Sequence, residues 1–127
     1  MNRKLLAAVT ALSVVALSQT AFAAGDAKKG ERIFKKCAAC HAVGENAKNK
    51  LGPILNGIVG RAAGSEEGYT YSAAMKDSGL TWDEETLAKF LANPRKFMPG
   101  TKMSFSGLRR EKDLANIIAF LKSHPAQ

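Results

Sequence analysis

The sequence predicts an all-α fold of three main helices joined by long irregular loops, on three observations. Apolar residues recur at helical spacing in three stretches, and no stretch alternates with a period of two. Residues 42–71 carry glycines at 44, 52, 57, 60, 64 and 68 without any helical pattern.

Residues 1–23 read as a secretory leader that is cleaved off, not as part of that fold. Arg3 and Lys4 form a basic start, and Leu5 to Leu17 is a mostly apolar run of 13 residues. Ala21-Phe22-Ala23 then has the small-x-small spacing of a cleavage site, so the mature chain is expected to begin at Ala24. The apolar run falls short of the ~20 residues that an anchor helix needs to span a bilayer. The leader is not the Arg-rich amphipathic kind that addresses organelles. Export to the periplasm is the expectation, with residues 24–127 forming one domain.

The first helix is expected from about Asp26, a favoured N-cap, to Lys36. Ala27, Gly30, Phe34 and Cys37 share one face, with Lys28, Arg32, Lys35 and Lys36 opposite. A short helical turn is expected at Ser72 to Lys76. The next helix runs from about Asp83 to Ala92, entered through Thr81 and Glu84 as a capping box and closed by Asn93-Pro94. Its acids lie in the first turn, where the helix dipole favours them. In the last helix, from about Arg110 to Ser123, Leu114, Ile117, Ile118 and Leu121 fall at i, i+3, i+4 and i+7, and Pro125 stops it. Gly30 weakens the first helix, which implies that a second helix backbone, that of the last helix, comes too close there for a side chain.

Cys37-Ala38-Ala39-Cys40-His41 carries the chemistry. Two thiols three residues apart can each form a thioether to one porphyrin, and the adjacent imidazole can then ligate its iron: this is the spacing of covalent c-type haem attachment. The chain has only these two cysteines, so no disulfide framework competes for them. A thioredoxin-like thiol pair would need a strand–helix setting, whereas Gly30 to Lys36 looks helical. A structural zinc site takes four ligands, and Cys37, Cys40, His41 and the distant His124 are poorly spaced for one. Haem also accounts for residues 42–71, because a long structureless loop is unusual in a compact domain unless a large apolar cofactor gives it a surface to pack on. Without haem the chain is expected to be largely unfolded.

His41 fills one axial position. His124, beyond the last helix in a frayed end, is a poor second ligand, which leaves the methionines at 75, 98 and 103. A lone methionine is most often packing filler. Met98 and Met103 share the proline-stiffened segment Asn93 to Met103, and composition alone leaves these two about even.

The motifs Cys37 to His41, Leu51-Gly52-Pro53, Gly57 through Gly60-Arg61, Gly68-Tyr69-Thr70-Tyr71-Ser72, Leu80-Thr81-Trp82, and Asn93-Pro94 through Pro99-Gly100-Thr101-Lys102-Met103 follow one another in order. In these the chain resembles the class I cytochromes c, the mitochondrial type and its small bacterial periplasmic relatives, over the whole of residues 24–127. The resemblance implies the small cytochrome c fold, wrapped around one covalently bound haem c, with Met103 as the second axial ligand. It implies that the Pro53 carbonyl accepts a hydrogen bond from the proximal imidazole. It further implies that Arg61, Tyr71, Ser72, Trp82 and Thr101 hold the haem propionates and that Phe105 covers the exposed haem edge. Gly30, Phe34, Ile117 and Phe120 would pack the terminal helices together. Two positions depart from the mitochondrial pattern: Phe90 stands where that type has a tyrosine and Met75 where it has an asparagine, both making the pocket less polar. Met75 is thereby a minor rival for the axial role.

Iron held by His and Met has no open position, which favours a one-electron carrier and not an enzyme. The alternative is a haem peroxidase or gas sensor with a labile sixth ligand. The formal charge of +8 falls to +6 without the leader, a surplus that suits an anionic partner. Lys35, Lys36, Lys50, Lys96 and Lys102 flank the haem motif or the methionine loop and are expected to ring the haem edge. They would steer the protein, as a monomer, to acidic docking surfaces on membrane redox complexes: quinol–cytochrome c oxidoreductase, cytochrome c oxidase or a photosynthetic reaction centre. The basic residues form no dense tract, so nucleic acid is not an expected partner. The glycines of 52 to 64 lack the Gly-Lys-Ser/Thr of a phosphate loop.

Overall fold

The computed structural model describes residues 24–127, and the expected leader lies outside them. Five helices follow in chain order: α1 (Ala27–Phe34), α2 (Ala73–Lys76), α3 (Glu84–Ala92), α4 (Pro94–Phe97) and α5 (Glu111–Lys122). Among the described residues there is no strand; Ala62 and Thr81 make an isolated antiparallel bridge. No helix among them is long and apolar enough to cross a membrane.

The terminal helices α1 and α5 pack on each other. Asp26 caps α1 by accepting from the Lys29 amide at 3.1 Å, and its own amide donates to Asn116 Oδ1 on α5 at 2.8 Å. Gly30 is the buried residue of α1; a Cβ there would run into the Asn116 carbonyl and stand 2.6 Å from Phe120 Cβ. One turn on, the rings of Phe34 and Phe120 lie 5.1 Å apart. Ile117 and Ile118 of α5 are each only 1% exposed, a burial that stabilises by about 1.5–3 kcal/mol per side chain. The expected inward face of α1 needs one correction. Ala27 is exposed, and Ile33 joins the core instead.

Regular helix stops at Phe34, and the chain continues in tight turns: Cys37 N donates to Phe34 O at 2.8 Å and His41 N to Cys37 O at 2.9 Å. This winding keeps both cysteines and the histidine on one short, rigid stretch.

The start of α3 differs from the expected capping box. Asp83, not Thr81, is the N-cap: its carboxylate accepts from Thr86 N at 2.7 Å while Thr86 Oγ1 accepts from Asp83 N at 3.0 Å. Thr81 is held in the bridge to Ala62, so the first helical residue is Glu84. Asn93-Pro94 closes α3 but also opens α4. Asn93 accepts from Lys96 N at 3.2 Å, and Pro94 takes the first helical position, where its missing N–H is no loss.

Side chains hold the irregular stretch together. Buried Asn56 pairs with both backbone groups of Gly44, and Asn49 links Ile54 N at 2.9 Å to Glu67 O at 3.0 Å. The end of the chain is tied down, not frayed: His124 O accepts from Gly57 N at 2.7 Å, and its ring lies 4.6 Å from that of Phe120.

Candidate haem-binding site

A cavity of about 480 Å³ lies between the helices and the long loops. The turn after α1 contributes Cys37, Cys40 and His41 to its lining, and the segment after α4 contributes Thr101, Met103 and Phe105. Pro53, Arg61, Tyr71, Ser72 and Trp82 line it too. Four residues of its apolar wall carry no signal in the sequence analysis: Leu55 and Ile58 from the long loop, and Leu87 and Leu91 from α3. Leu55 and Ile58 lie in the patternless stretch, where periodicity carries no signal.

His41 is oriented before any metal is considered. Its Nδ1 lies 2.7 Å from the Pro53 carbonyl oxygen, and a carbonyl can only accept. Nδ1 therefore carries the proton and Nε2 keeps a free lone pair. Burial holds the imidazole below its ordinary pKa; the Pro53 bond opposes this, while Arg61 and Lys50 add to it. The result is a neutral ring, the form that ligates metals. Gly52 makes room for it, since a Cβ there would stand 2.7 Å from Nδ1 and 2.9 Å from Nε2.

Burial, with Cys40 beside it, pushes the Cys37 thiol up to about 11, against the pull of Lys36. A reactive redox pair needs a depressed thiol pKa, so this environment does not suit one.

The tertiary structure separates the two methionines that the sequence leaves even. Thr101 N donates to Met98 O at 3.1 Å, with Pro99 second and Gly100, at φ +89°, third: a type II turn. Met98, before the turn, is buried in the core at 5% exposure; Met103, beyond it, lines the cavity. Met75 also reaches the cavity wall.

A polar fringe surrounds Arg61. Its Nη1 reaches Ile54 O at 3.1 Å, Asn56 O at 3.2 Å and the Glu66 carboxylate at 3.2 Å, while its buried Nε has no partner among the described residues. Tyr71 accepts from Glu66 N at 3.1 Å and Ser72 from Met75 N at 3.1 Å, so each hydroxyl keeps its proton to donate. Burial raises the Tyr71 pKa and keeps the phenol protonated. An orphaned guanidinium N–H beside two hydroxyl donors, apolar walls, a thiol pair, a neutral imidazole and a thioether form a donor set that fits an iron porphyrin with two carboxylates. The Glu66 partner of Arg61 was not foreseeable from spacing.

The lysines divide. Lys36 and Lys102 line the cavity, and Lys50 Nζ bonds to Ala38 O at 2.6 Å beside it. Lys102 also sits 4.4 Å from the Tyr69 ring centre and donates to the Thr70 carbonyl. Lys35, at the C-cap of α1, and Lys96, on α4, are exposed but do not line the cavity.

The cytochrome c family model matches residues 27–125. Cytochrome c2 of Rhodomicrobium vannielii is 54% identical over 110 residues, covering 87% of this chain and 88% of that protein. Cytochrome c2 of Blastochloris viridis is 46% identical, covering 93% of each chain. Among solved structures, cytochrome cH from Methylobacterium extorquens superposes with a TM-score of 0.74 at 49% identity, covering 78% of this chain and 99% of that one. Because the match runs from the first residue of α1 past the end of α5 and takes in the whole cavity, the chain belongs to the cytochrome c family, and it is a one-electron carrier with haem c attached through Cys37 and Cys40.

Proposed function

We propose that His41 and Met103 are the axial ligands, and that the protein shuttles single electrons in the periplasm as a monomer. Its donor would be a quinol-oxidising membrane complex and its acceptor an oxidase or photosynthetic reaction centre. The observation that carries the ligand assignment is that a neutral, pre-oriented His41 and the Met103 thioether line one cavity from which Met98 is absent.

Bound haem supplies the reversible one-electron change at iron. The chain sets its conditions. Through its bond to Pro53, His41 presents Nε2 in a fixed orientation and with raised basicity. Met103 offers a soft thioether that favours the ferrous state and raises the potential. Leu55, Ile58, Leu87 and Leu91 exclude water and disfavour the extra charge of ferric iron. Arg61, Tyr71 and Ser72, which line the cavity, would neutralise and bind the propionates; the unpartnered Arg61 Nε supports this. Lys36, Lys50 and Lys102 around the mouth would draw in an acidic partner and speed encounter at low salt. Residues 1–23 would direct export, and the periplasmic mature chain would begin at Ala24.

A visible spectrum of the exported protein in both oxidation states tests this, together with its intact mass and its reaction rates with membrane complexes at several salt concentrations. The expected results are a weak red-end Met–Fe(III) band, slow carbon monoxide binding, a chain beginning at Ala24, and rates that fall as salt rises. Rapid carbon monoxide binding without that band would remove Met103 as ligand.

A further inference from the structure

The Arg61 guanidinium already holds a carboxylate of this chain. Its Nη1 lies 3.2 Å from Glu66 Oε2, and the two side chains are only 15% and 22% exposed. The residues between them fix that pairing. Trp82 N donates to Arg61 O at 2.9 Å and Ala63 N to Leu80 O at 2.8 Å, which pins the first half of the segment. Gly64, at φ +73°, then turns the backbone, and Ser65 Oγ donates to Ala62 O at 2.6 Å. Glu66 is thereby folded back onto Arg61, and its amide donates to the Tyr71 hydroxyl at 3.1 Å. One residue thus touches two of the polar side chains that line the cavity. Glu67, next in the chain, is exposed and is tied in through its backbone carbonyl, which accepts from Asn49 Nδ2 at 3.0 Å.

We propose that Glu66 helps to set the reduction potential: it shares the Arg61 guanidinium with a haem propionate, and its carboxylate holds the potential below the value that Arg61 and the apolar walls would give alone. This rests on the reading of Arg61 as a propionate residue. Glu66 acts through Arg61, as a positioning residue for the electron transfer. A guanidinium stays ionised at any pH the protein meets, so the pair is a fixed cation matched by a carboxylate. With Glu66 ionised, the matched pair offers the propionate no net charge. Ferric iron carries one more positive charge than ferrous iron, so an uncompensated anion beside the haem favours the ferric state. Neutralising Glu66 leaves the Arg61 cation to the propionate and tips the balance toward ferrous iron. Because the pair is largely out of solvent, salt screens this effect less than it screens that of an exposed carboxylate.

The test is redox titration of the haem-loaded protein at neutral pH, at low and at high salt. Glu66→Gln keeps an acceptor oxygen for Arg61 and the amide on Tyr71 but removes the charge. It is expected to raise the ferrous-to-ferric ratio at a fixed applied potential about three-fold, equivalent to about 28 mV for a one-electron couple. The shift should survive high salt, with the visible spectrum and its red-end band intact. Glu67→Gln, the same change of charge one residue on, should shift the ratio much less and lose that shift at high salt. Arg61→Gln should lower the ratio. A Glu66→Gln potential that is unchanged, lowered or no different from that of Glu67→Gln overturns the proposal; if Arg61→Gln still lowers the ratio, the propionate reading of Arg61 stands without it. If Arg61→Gln leaves the ratio unchanged, both fall together. Loss of the red-end band in Glu66→Gln also overturns the proposal, by showing that the carboxylate holds the fold and not the potential. Should Arg61→Gln not take up haem, the two glutamate variants decide the proposal by themselves.

Discussion

The Nδ1 atom of His41 lies 2.7 Å from the carbonyl oxygen of Pro53, and Gly52, the residue between that carbonyl's owner and Leu51, lies directly against the same ring. One short segment thus fixes the tautomer, the orientation and the clearance of the proximal imidazole together. Outer-shell bonds of this kind tune ligand basicity as well as position.

Gly52→Ala tests that clearance. The added methyl would overlap the His41 ring, so the ring or the loop must move. A stability loss of about 1–3 kcal/mol is expected, of the size that overpacking brings. It should come with a disturbed visible spectrum. Thermal unfolding and spectroscopy of the holo-protein measure both, and a variant matching wild type in each would show that the ring is not held there.

Met98 and Met103 should respond to substitution in opposite ways. Met98→Ala removes a side chain that is 5% exposed and should cost about 2–5 kcal/mol while leaving the spectrum intact. Met103→Ala should abolish the red-end band, lower the potential and add peroxidase-like activity, because it opens an axial position. Urea unfolding and redox titration of the two variants distinguish the roles; the reverse pattern makes Met98 the ligand.

Gly30→Ala should separate the terminal helices. Its methyl has nowhere to go between the Asn116 carbonyl and Phe120 Cβ, and backbone cannot yield as a flexible side chain can. A loss of about 1–3 kcal/mol is expected, or a fall in Tm of several degrees. An unchanged Tm would mean that α1 and α5 can re-seat freely.

Tyr71 should make the fold sensitive to alkali. Burial raises its pKa in the folded state above the ordinary value of 10.0, partly opposed by its bond to Glu66 N and by Arg61. Above pH 10 the unfolded chain therefore binds fewer protons than the folded one. The contribution is fully present below that pH and is lost as pH rises through the folded value. Denaturant titrations from neutral to alkaline pH should show a smaller alkaline decline for Tyr71→Phe than for wild type. Parallel curves would remove Tyr71 as the cause.

Haem attachment could be read directly from the chain because both sulfurs and the imidazole fall within five consecutive residues, where covalent spacing fixes what they can reach. The three main helices were readable for a related reason: caps and i, i+3, i+4 periodicity act over one or two turns. Tertiary structure decided what depends on long-range contact. It moved the α3 cap from Thr81 to Asp83 by pairing Thr81 with Ala62, and it made Asn93-Pro94, the expected stop of α3, the start of α4 as well. It put Met103 on the cavity and Met98 in the core, on either side of one turn. Lys102 is set against Thr70, 32 residues away, and Leu51 against Tyr69, 18 residues away. No local pattern carries such pairings, because they exist only once the loops have closed around a shared cavity.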